Sequence, residues 1–196
     1  MRLAAAFAAL GVAFLGSTQA QLYAGDYINT TLPGVPGSEI AFWKIQDGLK
    51  NNLTAIAYIN HGSNGQRLDP LKIKRAVIII HGNDRDPGTY ESNMLSALAQ
   101  AHATNSDVST DSVAIVAPWF ANGNDKTIFP WVNGLKANQG SITNLMVWTS
   151  SQWSAGGETQ YPFKNAGYSS YTVLDQMVQY FDNTVRGLMG WTLHPV

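Results

Sequence analysis

One stretch of the chain, "RAVIIIHGNDRDPGTY" (75–90), limits the fold more than any other. Its five apolar residues, 76–80, are continuous and mostly β-branched, and they do not alternate with polar residues. A strand that is apolar on both faces is typical of the middle of a parallel sheet that has helices on each side. The sequence therefore predicts an α/β fold in which residues 76–80 form a buried strand.

Two further segments complete a strand–helix–strand unit after this strand. In "ESNMLSALAQAHA" (91–103) apolar residues recur at helical spacing, and Ser92 is predicted as the N-cap. The segment "SVAIVAP" (112–118) is predicted to be a second buried strand that Pro118 ends. Strand, helix and strand within about forty residues predict a βαβ unit with parallel strands.

The residues on either side of this unit extend the fold. "IAFWKI" (40–45) and "LTAIAYI" (53–59) are typical of strands, and Asp47-Gly48 between them fits a turn, which favours an antiparallel pair. Near the end of the chain, residues 170–183 are predicted to form an amphipathic helix. Its apolar stripe is predicted to consist of Leu174, Met177, Val178 and Phe181.

Residues 119–167 show no clear helix and are rich in Gly, Asn, Ser and Trp. We predict a long loop region with a short strand at "LMVW" (145–148). Tryptophan in such loops usually packs against the protein, but its ring also stacks on sugar rings. The tryptophans of this region are Trp119, Trp131, Trp148 and Trp153.

The first twenty residues, "MRLAAAFAALGVAFLGSTQA", combine one Arg with a short apolar run and end in small residues. This pattern is typical of a secretory signal peptide, with cleavage expected after Ala20. A membrane anchor is the less favoured interpretation, because the run is short for a membrane span and no stop-transfer charges follow it. We expect a secreted, extracellular protein with an irregular lead-in over residues 21–38.

Charge and cysteine content argue against several classes of function. The formal net charge of −1 and the absence of a Lys/Arg cluster argue against nucleic acid and membrane surfaces as partners. The chain has no cysteine, which excludes a disulfide framework, a thiol nucleophile and a thiolate metal site. Its four histidines lack the paired spacing of metal ligands, and no metal or cofactor is predicted. Asn29 and Asn52 lie in N-x-[ST] sequons and are predicted glycosylation sites.

The pair His81-Gly82 follows the predicted strand 76–80 at the end where α/β sheets bind ligands. Glycine lets the backbone turn sharply, so the N–H of Asn83 could point into a cleft as an oxyanion donor. The dipeptide alone favours the other interpretation, a tight turn in which His81 is only structural.

Three segments, taken in order along the chain, resemble the N-terminal half of an α/β-hydrolase, and among these enzymes a group of secreted fungal hydrolases. They are "RAVIIIHGNDRDPGTYESNMLSAL", "VAIVAPWF" and "SSYTVLDQMVQYFDN", within a resemblance that covers about residues 38–183. The resemblance implies a parent activity of ester or related acyl hydrolysis, on a small-molecule or polymer ester. It also implies that Asn83 supplies one oxyanion N–H, and that the cleft is lined or braced by Asp84, Arg85, Asp86 and Tyr90.

The family nucleophile belongs to a G-x-S-x-G elbow that follows the helix predicted at 170–183, and the catalytic acid and His come later still. This chain contains no G-x-S-x-G. Two partial matches do not fit an elbow. "WSAGG" (153–157) has Gln152 in place of the first Gly, with no buried strand before it and no helix after it, and "HGSNG" (61–65) follows a strand but begins with His61 and is not continued by a helix. We expect a partial hydrolase domain over 39–187, truncated before the elbow and inactive in this form, and a tail over 188–196 without a family counterpart.

Two functions therefore stay open. The first is a secreted α/β-hydrolase-family protein whose catalytic nucleophile is missing. The second is a non-catalytic secreted protein that binds carbohydrate or cell wall through the Trp-rich loops 119–167. Without the nucleophile strand beside it, the strand 76–80 is expected to be an open sheet edge through which the chain self-associates.

Overall fold

The computed structural model describes residues 32–45, 53–125, 144–160 and 168–188. These residues form a five-stranded mixed sheet and two α-helices. The elements are β1 Ser38–Ile45, β2 Leu53–Asn60, β3 Arg75–Ile78, α1 Pro87–Thr104, β4 Val113–Trp119, β5 Asn144–Leu145 and α2 Ser170–Leu188. Outside the described residues lie the predicted signal peptide (1–20), Asn29, Asn52, the turn at Asp47-Gly48, Trp131 and the tail beyond Leu188.

The strand order is β1-β2-β4-β3, and β5 pairs with the start of β2. β1 and β2 are antiparallel over their whole length, from Ser38 opposite Asn60 to Ile45 opposite Leu53. β3 and β4 are parallel, and β4 runs antiparallel to β2. The predicted antiparallel pair, the parallel pair and the α/β class are therefore confirmed.

The two helices lie on opposite faces of the sheet, because successive residues of a strand point to opposite sides. Ile115 of β4 packs with Leu98 of α1, whereas its neighbour Val116 belongs to the cluster that contains Met177 and Phe181 of α2. Each helix covers one layer of a core whose centre is β2 and β4. All residues of these two strands are buried. Neither α-helix in the described ranges is long and apolar enough to span a membrane.

The predicted burial of residues 76–80 is wrong. Ala76 is exposed, and 41% of Ile80 is accessible. The reason is the position of β3, which has β4 as its only strand neighbour among the described residues. Of the two strands of the parallel pair, β4 is the one that is buried on both faces, because it lies between two strands and between two helices.

The predicted end of β4 at Pro118 is also wrong, since Trp119 still pairs with Ile56. Val116 accepts a hydrogen bond from the β3 side, and backbone groups alternate, so Pro118 faces the β3 side too. β3 pairs only as far as Val116, so the missing N–H of Pro118 removes no ladder hydrogen bond.

Both helices differ in detail from the sequence prediction. α1 begins at Pro87, with Asp86 rather than Ser92 at the N-cap, because proline is well suited to the first helical position. In α2, Val173, Met177 and Phe181 are buried, whereas Val178 is 56% exposed. The buried stripe of α2 is therefore rotated relative to the predicted one.

Candidate functional site

The loops that follow β3 and β4 lie side by side, because parallel strands end at the same edge of a sheet. Ile79 continues the pairing one residue beyond β3, and its N–H donates to the carbonyl of Val116 at 2.9 Å. The loop 80–86 therefore leaves the sheet next to the loop 120–125. These two loops form the candidate site.

His81 joins the two loops through its buried ring. Its Nε2 accepts the backbone N–H of Phe120 at 2.9 Å, so that nitrogen carries no proton. Its Nδ1 lies 2.8 Å from the carbonyl oxygen of Gly82 and donates to it as the protonated nitrogen. Both ring nitrogens are thus bound to backbone groups, and the ring holds the end of one strand against the next.

Burial lowers the pKa of His81 below its ordinary value, although the Gly82 carbonyl acts in the opposite direction. Protonating Nε2 would also remove the acceptor for the Phe120 N–H. The neutral ring is therefore the stable form. His81 positions the loop, as in the structural alternative that the sequence left open.

Aromatic rings surround His81 on the α2 face. Its ring centroid lies 4.6 Å from that of Trp153 and 5.8 Å from that of Phe120, and the latter two rings are stacked. Trp119, Trp148 and Trp153 are all buried. These three tryptophans pack the core and offer no exposed ring for a sugar.

Gly82 lies close to the side chain of Tyr90. A Cβ at position 82 would lie 3.1 Å from the hydroxyl of Tyr90, which is tighter than most Cβ contacts. The chain then turns, and the N–H of Arg85 donates to the carbonyl of Gly82 at 3.1 Å. Tyr90, in the first turn of α1, thus braces the start of this turn.

Asn83 occupies the second position of the turn 82–85 and is exposed. Its carbonyl oxygen accepts a hydrogen bond from Nη1 of Arg85 at 2.5 Å. Its N–H has no acceptor among the described residues, as is usual for the second residue of a turn. A donor that projects from a well-anchored loop can bind an oxygen of a ligand.

Arg85 anchors the other end of the turn. Its Nε lies 2.9 and 3.2 Å from the two carboxylate oxygens of Asp125, which also accepts the N–H of Asn122 at 2.8 Å. Arg85 has a left-handed backbone with φ 53°, and both partners of the ion pair are largely shielded from solvent. Sequence reasoning did not single out Asp125, because nothing in "NGND" distinguishes a buried ion-pair partner from a loop carboxylate.

The structure thus brings the five residues of the implied site from His81 to Arg85 into one loop beside Tyr90. Asp84 is exposed, and Asp86 is the N-cap residue of α1. A mostly apolar cavity of about 410 Å³ lies beside the end of this loop, at Arg85 and Asp86, and Asn83 is not among its lining residues. It is lined by Pro33, Val35, Tyr58, Arg85, Asp86, Pro87 and Thr89, among others.

The serines of the two partial nucleophile motifs are bound elsewhere. The hydroxyl of Ser154 donates to the carbonyl of Ser151 at 2.8 Å, and that of Ser63 donates to Asp111 at 2.6 Å. In the described part of the chain, neither hydroxyl is hydrogen-bonded to a histidine ring. No activated nucleophile is formed at either place.

Glu91 is a buried carboxylic acid that the sequence did not single out. It accepts a hydrogen bond from the Ser38 hydroxyl at 2.6 Å, and burial raises its pKa from 4.5 to about 7. The spacing of the residues already indicates this burial. Glu91 lies seven residues before Leu98, on the same helical face as Met94 and Leu95.

Within the described ranges, no group of three or more His, Asp or Glu residues could hold a metal ion. No family model, no curated protein and no solved structure matches this chain. The site is therefore interpreted from its own geometry and from the resemblance of its motifs.

Proposed function

We propose that this chain is the oxyanion-loop part of a secreted α/β-hydrolase-type protein, in which the N–H of Asn83 binds the carbonyl oxygen of an ester. One observation carries the proposal. The loop after β3 is fixed at both ends, by His81 and by the ion pair of Arg85 with Asp125, and the N–H of the exposed residue Asn83 has no acceptor in the described part of the chain. The signal-like pattern of residues 1–20 is the basis for secretion.

The neighbours of β3 support the same proposal. In an α/β-hydrolase the strand that leads into His-Gly lies beside the strand that corresponds here to "VAIVA", and β3 does lie beside β4. In that fold the nucleophile strand lies along the other edge of β3. Arg85 and Asp86, at the end of the same loop, line the mostly apolar cavity, which suits a short acyl or alcohol group of the ester.

An oxyanion donor stabilises the negative charge that develops on the carbonyl oxygen, which is worth about 3 kcal/mol in a complete active site. The donor can act in a reaction only where a nucleophile attacks the same carbonyl. Since the 196 residues contain no G-x-S-x-G, we propose that this chain by itself binds tetrahedral anions but does not hydrolyse esters.

A pair of variants at position 83 tests the donor. Asn83→Pro removes the N–H, and proline suits the second position of a turn, so the loop should keep its shape. Asn83→Ala changes the side chain and keeps the N–H. We expect Asn83→Ala to bind monoethyl butylphosphonate, a tetrahedral anion with a short chain, as the wild type does in calorimetry. Asn83→Pro should bind it at least tenfold more weakly. Equal binding by Asn83→Pro and wild type would exclude this N–H as the donor.

A further inference from the structure

The edge of β3 that faces away from β4 has no strand partner among the described residues. Arg75 and Ile79 direct their N–H groups towards β4, where they donate to the carbonyls of Ser112 at 3.2 Å and Val116 at 2.9 Å. Because backbone groups alternate along a strand, the N–H and C=O groups of the residue that follows each of Arg75, Val77 and Ile79 point away from β4. These outward-facing residues are Ala76, Ile78 and Ile80.

A groove of about 420 Å³ runs beside this edge, between β3 and α2. Ala76, Ile78, Val178 and Phe181 supply its apolar lining, and Val178 is 56% exposed. A strand that paired with β3 would place alternate side chains in this groove. The same occupant would therefore satisfy the backbone edge and cover the apolar lining.

The charges at the two ends of β3 indicate which strand can pair with this edge. Lys74 and Arg75 form an exposed basic start. Asp84 and Asp86 follow the end of the strand, and the charge of Arg85 between them is already neutralised by its ion pair. If a second copy paired with β3 in the antiparallel direction, the basic start of each β3 would lie near the acidic residues that follow the other β3. A parallel copy would set like charges against each other.

We propose that this edge joins two copies of the chain, with β3 antiparallel to β3 of the second copy about a twofold axis. Outward-facing residues must lie opposite each other, and the register centred on Ile78, with Ala76 across from Ile80, pairs all three of them. A contact of one strand pair and the two grooves beside it is small, so the dimer is weak and depends on protein concentration. This inference is independent of the proposed function.

Sedimentation velocity of the full chain over a range of concentrations tests the dimer, with two variants of the exposed residue Ala76. Ala76→Pro removes an outward N–H and leaves the hydrogen bonds to β4 intact, since the edge of a sheet tolerates proline. Ala76→Thr keeps the N–H and favours the strand. Wild type and Ala76→Thr should dimerise with similar dissociation constants, and Ala76→Pro should raise the constant at least tenfold.

A second variant, Val178→Asp, places a charge in the groove at an exposed helix position and should also raise the dissociation constant. It keeps the test informative if Ala76→Pro fails to fold. A wild-type monomer at all concentrations would overturn the proposal, because it would mean that the edge is already covered. A dimer that neither Ala76→Pro nor Val178→Asp weakens would overturn it as well.

Discussion

Glu91 is a side chain whose protonation state is decided by its surroundings. It is fully buried on the sheet side of α1, and its Oε1 accepts the Ser38 hydroxyl, whereas its Oε2 has no partner among the described residues. A carboxylate with so few donors is costly to bury, so the neutral acid is favoured and the pKa rises to about 7. Its charge also helps to raise the pKa of nearby Tyr58 to about 12, although burial of the phenol contributes more.

This shift predicts that Glu91 stabilises the fold more at acid pH than at neutral pH. The folded chain keeps the Glu91 proton up to about pH 7, whereas the unfolded chain loses it near pH 4.5. The contribution of Glu91 to the free energy of unfolding should therefore be largest below pH 4.5 and fall as the pH rises to about 7, by about 3 kcal/mol at most. Urea unfolding at about pH 5 and about pH 8 should show the loss in the wild type and a much smaller one in Glu91→Gln. Parallel losses in both proteins would assign the pH dependence to other groups.

At the scale of elements, the sequence predicted which segments are strands and helices, because the apolar patterns of β2, β4 and α2 are strong. It did not predict which strand lies in the middle. "AVIII" and "VAIVA" are equally apolar, and the number of neighbours of a strand depends on segments far along the chain. The pattern of α2 also contains two overlapping stripes, one through Val173 and one through Val178, and only packing against the sheet selects between them.

Substitutions at two adjacent residues of α2 test which face of this helix packs against the sheet. Met177→Ala removes a fully buried side chain and should lower the free energy of unfolding by about 2–5 kcal/mol. Val178→Ala alters a side chain that is mostly exposed and should change it by less than about 0.5 kcal/mol. Urea unfolding at low protein concentration, where a weak dimer is dissociated, measures both. A larger loss for Val178→Ala would mean that α2 packs by the stripe predicted from the sequence.

At the scale of the molecule, the position of the candidate site could be predicted, because loops after parallel strands meet at one edge. The residues that hold the loop could not. Asp125 lies forty residues from its partner Arg85, and Trp153 lies farther still from His81. Such pairings are set by the tertiary fold and leave no local pattern in the chain.

We expect that the whole chain does not hydrolyse esters. Short-chain aryl esters should not be turned over above a protein-free control, and a fluorophosphonate probe should label no serine. The reason is that Ser63 and Ser154 lack a histidine partner in the described residues, while the oxyanion donor alone breaks no bond. Ser154→Ala is the matched control, and labelling that this variant abolishes would show that "WSAGG" is a nucleophile after all.

The proposed function requires that the loop after β3 presents the Asn83 N–H to a tetrahedral anion. The most direct measurement is the amide spectrum of ¹⁵N-labelled protein during titration with monoethyl butylphosphonate. We expect the Asn83 amide proton to move downfield in a saturable way, and farther than the amides of the α2 face. If the Asn83 resonance stays in place while the anion saturates other amides, or if no resonance moves, the loop is not an oxyanion site.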